Sequence, residues 1–230
     1  MKRTLRKLRR VIWILQGKDL YCRPEVRRSC ERHGSDYGGW HICPERIDRH
    51  SIVYSFGVGE DISFDLSLIE RYGLQVHAFD PTPKSIRWVE SQPLPKNFIF
   101  HDYGVADYDG EAAFYPPENP AHVSHTMLPS SGGPARKILV KVHRLVTIMK
   151  MLGHQKIDIL KMDIEGAEYA VLADLLNSDI EVSQILVEFH HRFNNVRVDQ
   201  TRQAIKLLNQ HRYRLFHVAA SGEEYAFIRE

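Results

Sequence analysis

Three carboxylates fall within six residues, Asp163-Ile164-Glu165-Gly166-Ala167-Glu168, directly after the apolar run Ile157-Asp158-Ile159-Leu160-Lys161-Met162. That run reads as a buried strand, so the acids stand at its C-terminal end, where open α/β sheets bind ligands. Asp163 is placed to meet the charged end of a ligand or the hydroxyl of an acceptor. Asp163 and Glu165 are also oxygen ligands of the kind that hold a Mg²⁺-type ion. As acids opening a helix, Glu165 and Glu168 are explained by the helix dipole alone; Asp163 is less well explained that way. A second candidate lies after the strand-like run Gln184–Phe189, in the pair His190-His191. An imidazole titrates near neutrality, so His190 suits a general base, though a histidine pair ending a strand is equally at home in solvent.

A third set opens the chain's most regular stretch. Ile52-Val53-Tyr54-Ser55-Phe56 is a strand-like run, followed by Gly57-Val58-Gly59-Glu60-Asp61 and an apolar helical face at Ile62, Leu66 and Ile69. Gly57 and Gly59 let a ligand approach the backbone, and Asp61 suits the helix N-cap. Strand, glycine turn and helix open a nucleotide-binding βαβ unit. In dinucleotide sites a diphosphate rests on the helix N-terminus. Here Glu60 and Asp61 occupy that point, and they would repel it. The position of a third glycine holds Ile62, which also speaks against a nicotinamide dinucleotide. A cationic adenosyl ligand without phosphates, S-adenosylmethionine, suits the carboxylates. Asp80 ends the next strand, Leu74–Phe79, 21 residues beyond Gly59, where an acid can accept from ribose hydroxyls. Asp102 and Tyr103 follow a third strand, Asn97–His101. They are placed to contact an adenine amino group and ring, or to do ordinary turn chemistry.

The elements that must position these groups alternate as strand and helix up to residue 107, predicting a doubly wound, mostly parallel sheet. The pattern then breaks. Ala112–Tyr115 and Ile138–Val142 read as an inserted β-hairpin around a long loop, 116–136, with Ser124, His125 and Thr126 as polar candidates for substrate contact. The last two strands, Tyr213–Val218 and Tyr225–Ile228, lack an intervening helix and predict an antiparallel edge hairpin. Between residues 35 and 41, Gly38-Gly39 precede Trp40, which either plugs one end of the core or belongs to a segment covering the ligand site.

The chain's 230 residues suffice for one sizeable core. Its net charge of +2 is unevenly spread: residues 1–32 carry eleven Lys or Arg against three acids. The basic character belongs to an N-terminal arm, 1–34, and not to the remaining domain, 35–230, so nucleic-acid binding by the body is unsupported. The arm docks as a solvated helix or meets an anionic lipid surface through residues 1–15. Val11–Leu15 is too short for a signal-peptide core or a membrane span. Three cysteines, an odd count with no C-x-x-C pair, suggest reduced thiols and a cytoplasmic setting, with or without membrane-surface association.

The segments V-Y-S-F-G-V-G-E-D-I-S-F, H-A-F-D-P-T-P and, above all, I-L-K-M-D-I-E-G-A-E-Y resemble the FkbM family of S-adenosylmethionine-dependent methyltransferases. The resemblance spans roughly residues 35–230. It implies a class I Rossmann-like fold and O-methylation of a hydroxyl on a sugar, glycan or secondary metabolite. By the same resemblance Gly57 and Gly59 form the cofactor turn, Asp80 takes the ribose, and Asp163 lies at the methyl-transfer site. The first turn departs from the commoner G-A-N-x-G form. The competing expectation is a binding module that keeps the fold without catalysis, tethered by its basic arm.

Overall fold

The computed structural model describes residues 2–115, 137–193 and 196–230, with side chains described from Arg9 onward. The elements in chain order are α1 (Lys2–Leu15), β1 (Glu31–His33), β2 (Trp40–Ile42), β3 (Ile52–Phe56), α2 (Ser63–Tyr72), β4 (Gln75–Phe79), α3 (Pro83–Glu90), β5 (Phe98–His101), β6 (Gly104–Val105), β7 (Gly110–Phe114), β8 (Ile138–His143), α4 (Leu145–Leu152), β9 (Lys156–Met162), α5 (Glu168–Leu176), β10 (Glu181–Glu188), α6 (Val198–Gln210), β11 (Tyr213–Val218) and β12 (Glu224–Arg229). Seven strands form one sheet in the order β11-β12-β10-β9-β3-β4-β5. From β10 to β5 every pairing is parallel, and β12 pairs antiparallel with both β10 and β11. The expected mostly parallel sheet and edge hairpin are both present.

Alternating residues along the central strands face two separate cores, because successive side chains leave a strand on opposite faces. Tyr54 and Phe56 of β3, Leu160 and Met162 of β9, and Ile185 and Val187 of β10 enter one core with residues of α4, α5 and α6. Val53, Ile159 and Leu186 enter the other, with Phe64 and Leu68 of α2. A strand buried on both faces reads as a nearly continuous apolar run, as these do. The buried face of α2 is Phe64 and Leu68 with Asp65; Leu66 and Ile69, expected inside, are half-buried. Gly73 ends α2 in the left-handed conformation (φ 68°), and its N–H donates to the Ile69 carbonyl.

The chain order reverses beside β3. It proceeds outward through β4 and β5, then returns to place β9 against the other edge of β3. The crevice between the carboxyl ends of β3 and β9 is thus the switch point. Ser55 pairs with Lys161 and Phe56 with Met162 there. The inserted hairpin is present as β7 and β8, antiparallel, with β6 parallel to β8 in a small separate sheet. Loop 116–136, with Ser124, His125 and Thr126, lies outside the described residues.

Packing onto the body begins before residue 35. Asp19 is buried and accepts from Arg192. The N–H of Glu25 donates to the Leu215 carbonyl (2.7 Å). Gln184 of β10 bonds the backbone N–H and carbonyl of Cys43, both at 2.8 Å. Trp13 of α1 has the guanidinium groups of Arg9 and Arg192 4.4 and 4.7 Å from its ring, while Val11, Ile12 and Leu15 are exposed. No helix among the described residues is long and apolar enough to cross a membrane.

Candidate functional site

The turn after β3 is locked from two sides. Gly57 has φ 82°, and a Cβ placed on it would lie 1.8 Å from the Asp163 carbonyl oxygen. Only glycine lets the β3 turn lie directly on the end of β9. Gly59 also has positive φ (58°), but open space surrounds it. From the other side Asp80, at the end of β4, accepts the N–H groups of Val58 and Gly59 on Oδ2 (3.1 and 3.0 Å). Its Oδ1 accepts the N–H and hydroxyl of Thr82 (2.9 and 2.6 Å). Asp80 is buried, so in this arrangement its carboxyl sets the shape of the glycine turn and stands at its edge.

Asp61 is not the N-cap; that position is Ile62, without a side-chain cap. The Asp61 carboxyl instead accepts the Ser63 N–H (2.8 Å) and the Ser35 hydroxyl (2.7 Å). It thereby ties the 35–39 loop to the turn. Burial works against its ionisation, but bonds from Ser63 and Ser35 outweigh that and lower its pKa. Glu60 shares its charge with Lys84 at 3.3 Å.

At the end of β9 the chain folds tightly. The Asp163 N–H donates to the Phe56 carbonyl (3.1 Å), and Glu165 adopts φ 54°, a conformation that costs a residue with a Cβ about 1 kcal/mol or more. Glu168 is fully buried. Its Oε1 accepts the Ile164 N–H, and both of its oxygens accept the Gly166 N–H (3.0–3.2 Å). Oε1 also pairs with His190 Nδ1 at 2.7 Å. Glu168, the acid in the first turn of α5, is therefore also the anchor of the loop before it. His190 lies just past β10, with Nε2 3.6 Å from Asp163 Oδ1 and 3.4 Å from Glu165 Oε2. Burial disfavours its charged form, yet Glu168, Asp163 and Glu165 outweigh burial and push its pKa up to about 10. Three carboxyls converging on one buried ring favour its charged form.

These groups line an open cavity of about 1470 Å³ over the carboxyl ends of β3, β4, β9 and β10. The volume exceeds the ~300–1,000 Å³ of ordinary ligand pockets, leaving room for two ligands. Among the described residues eight carboxyl side chains line it (Asp36, Glu60, Asp61, Asp80, Asp163, Glu165, Glu188, Glu224) against Arg32, Lys161 and three histidines. The crowding shows in the titration of its members. Burial, then the charge of Asp163, raises the carboxyl pKa of Glu188 and takes that of Glu224 to about 7.

Trp40 is both buried and on the cavity wall, with Lys161 Nζ 5.6 Å from its ring centroid. Asp102 is exposed and Tyr103 packs on Phe79, His101 and His143; neither lines the cavity. The chain turns there into β6, which brings Gly104 and Val105 to the wall instead. His125 lies outside the described residues.

Sequence reasoning missed Lys161, Glu188 and Glu224 among the lining residues. Lys161, buried within β9, donates to the carbonyls of Phe56 (3.2 Å) and Gly57 (2.6 Å). A charged residue inside an apolar strand was the signal for it. Glu188, the polar last residue of β10, carried a similar one. Glu224 of the closing hairpin carried none, whereas Tyr37, in the 35–41 segment expected to cover the site, lines the cavity almost fully exposed.

The family described as Methyltransferase FkbM domain matches residues 51–215. Over 176 residues the chain is 30% identical to the human protein called probable methyltransferase-like protein 24, covering 72% of this chain and 42% of that one. The rat protein of the same name is 28% identical with the same coverage. The chain thus spans about two-fifths of the length of these curated relatives. Among solved structures, the methyltransferase FkbM from Methylobacillus flagellatus KT aligns at 12% identity and a TM-score of 0.49, over 80% of this chain and 44% of that one. Aeropyrum pernix fibrillarin, in complex with natively bound S-adenosyl-L-methionine, aligns at 10% identity and a TM-score of 0.41, over 78% and 66%.

Proposed function

The chain belongs to the FkbM methyltransferase family, and from that premise we propose that it transfers a methyl group from S-adenosylmethionine to a hydroxyl of a sugar or secondary metabolite. The observation that carries this reading is the acidic cavity at the switch point. Its lining suits a sulfonium and an ammonium and opposes a diphosphate, since like charges crowded at low dielectric repel strongly. S-adenosylmethionine supplies the electrophilic methyl. The residues of this chain bind, orient and deprotonate. The Gly57–Gly59 turn, held by Asp80, presents backbone to the adenosyl part, and Asp80 stands where a ribose edge would pass.

Asp163 faces the cavity at the meeting of β3 and β9, its side chain 32% exposed. We assign it the acceptor's proton on this geometry. The acceptor oxygen then attacks in line, and most of the acceleration comes from holding it there. Tyr37, Trp40 and the 35–39 loop flank the approach and bear on acceptor choice.

Isothermal titration with S-adenosylmethionine and S-adenosylhomocysteine tests the first half of the reading. Methyl transfer to a panel of sugars and hydroxylated metabolites tests the second. We expect saturable binding of both adenosyl compounds, with transfer lost in Asp163→Asn while cofactor binding persists. No binding at millimolar cofactor, or preferential binding of a pyrophosphate dinucleotide, overturns the proposal. Binding without transfer to any hydroxyl leaves a binding module with the same fold.

A further inference from the structure

Asp163, Glu165 and His190 each offer one ligand atom, and these three atoms lie within 4.8 Å of one another. We propose that they form a site for one divalent first-row cation of the Mn²⁺ or Zn²⁺ type, open toward the cavity. The distances support it. His190 Nε2 stands 3.4 Å from Glu165 Oε2 and 3.6 Å from Asp163 Oδ1, longer than a hydrogen bond. Two ligands each 2.0–2.2 Å from a tetrahedral metal are separated by about 3.3–3.6 Å.

A second observation is independent of the acids. His190 is 6% exposed, and its Nδ1 is held at 2.7 Å by Glu168, itself fully buried and fixed by the Ile164 and Gly166 N–H groups. Its Nε2 is ion-paired with both carboxyls and aimed between them, where a cation would take the place of its proton. Carboxylate, imidazole, then cation is the arrangement that orients metal-binding histidines, the ion displacing the Nε2 proton.

The donor set chooses the class of ion. Oxygen alone suits Mg²⁺ or Ca²⁺; one imidazole beside two carboxylates moves preference toward Mn²⁺ or Zn²⁺. Among the described residues three protein ligands leave a position unfilled, the pattern of a reactive site. That position faces the cavity where Asp163 is exposed. Resting on the methyl-transfer reading above, the acceptor's hydroxyl oxygen fills it. The cation thereby fixes that oxygen and eases loss of its proton, and the second oxygen of Asp163 remains for the proton.

The test uses the full chain and Mn²⁺ alone, followed by loss of the electron paramagnetic resonance signal of aqueous Mn²⁺, with no methyl donor or acceptor present. We expect one Mn²⁺ per chain, affinity at least about tenfold weaker in Glu165→Gln and in His190→Gln, and unchanged affinity in Asp199→Asn, a surface acid of α6. His190→Gln leaves the buried Glu168 without its partner, so circular dichroism checks its fold; Glu165→Gln carries the test if that variant does not fold. No Mn²⁺ binding by the wild-type chain, or a folded Glu165→Gln chain binding as wild type does, overturns the proposal. Metal binding without S-adenosylmethionine binding, or the reverse, separates failure of the proposed function from failure of this site.

Discussion

Replacing Gly57 with alanine tests whether the cofactor turn and the end of β9 form one interlocked unit. The new methyl would sit 1.8 Å from the Asp163 carbonyl oxygen, so the two segments must part until that gap reaches the ~3.5 Å of an ordinary contact. The oxygen is backbone, tied in place by the Asp163 N–H bond to Phe56, and cannot rotate away. Alanine must also hold φ 82°. Overpacking and backbone strain each cost about 1–3 kcal/mol, which together come to about 4 kcal/mol. Gly59→Ala is the internal control: its φ of 58° imposes the strain, but nothing lies within 4 Å, so about 1 kcal/mol is expected. Urea unfolding of both variants reads the difference as a shift in midpoint at constant slope. A marginal domain tolerates the smaller loss and is brought close to unfolding by the larger. Equal midpoints for the two variants would refute the interlock.

Lys161→Met should destabilise the chain by about 3–5 kcal/mol. It strips the Gly57 carbonyl of its side-chain donor and the Phe56 carbonyl of one of its two, and leaves Asp65, fully buried with its pKa already raised by burial to about 6, without the opposing charge of Lys161. The double variant with Asp65→Asn should recover part of the loss in urea unfolding; no recovery would show that the two groups are not coupled. On the sheet's other side, burial and then the neighbouring His154 and His101 lower the pKa of His77 to about 4, so the fold favours the neutral ring. Its stabilisation is complete above the unfolded value of 6.5 and fades as pH falls through about 4. Compared with His77→Gln, the wild-type chain should therefore lose about 3 kcal/mol of relative stability across that window. Urea unfolding at pH 7.5, 6 and 5 checks this, and a difference that does not change with pH would refute it.

Much of this protein was legible in its sequence because the relevant physics is local. Apolar runs bounded by glycine and acidic turns specify strands buried on both faces, and their alternation with amphipathic segments specifies a doubly wound sheet. The break in that rhythm after residue 107 marked the inserted hairpin, and the missing last helix marked the antiparallel edge. The chemistry-bearing ends of β3, β4 and β9 followed, since ligands gather where parallel strands finish. Tertiary structure alone decided what those side chains touch. Asp80 turns its oxygens to the glycine turn and Asp61 ties down the 35–39 loop. Asp102 faces outward, and Glu168 disappears beneath His190. Each of these outcomes depends on which strand lies beside which, and sequence spacing carries no information on that. The charge on His190 depends on it most of all, because a pKa is set by every carboxyl within a few ångströms, and those come from residues up to 27 positions away.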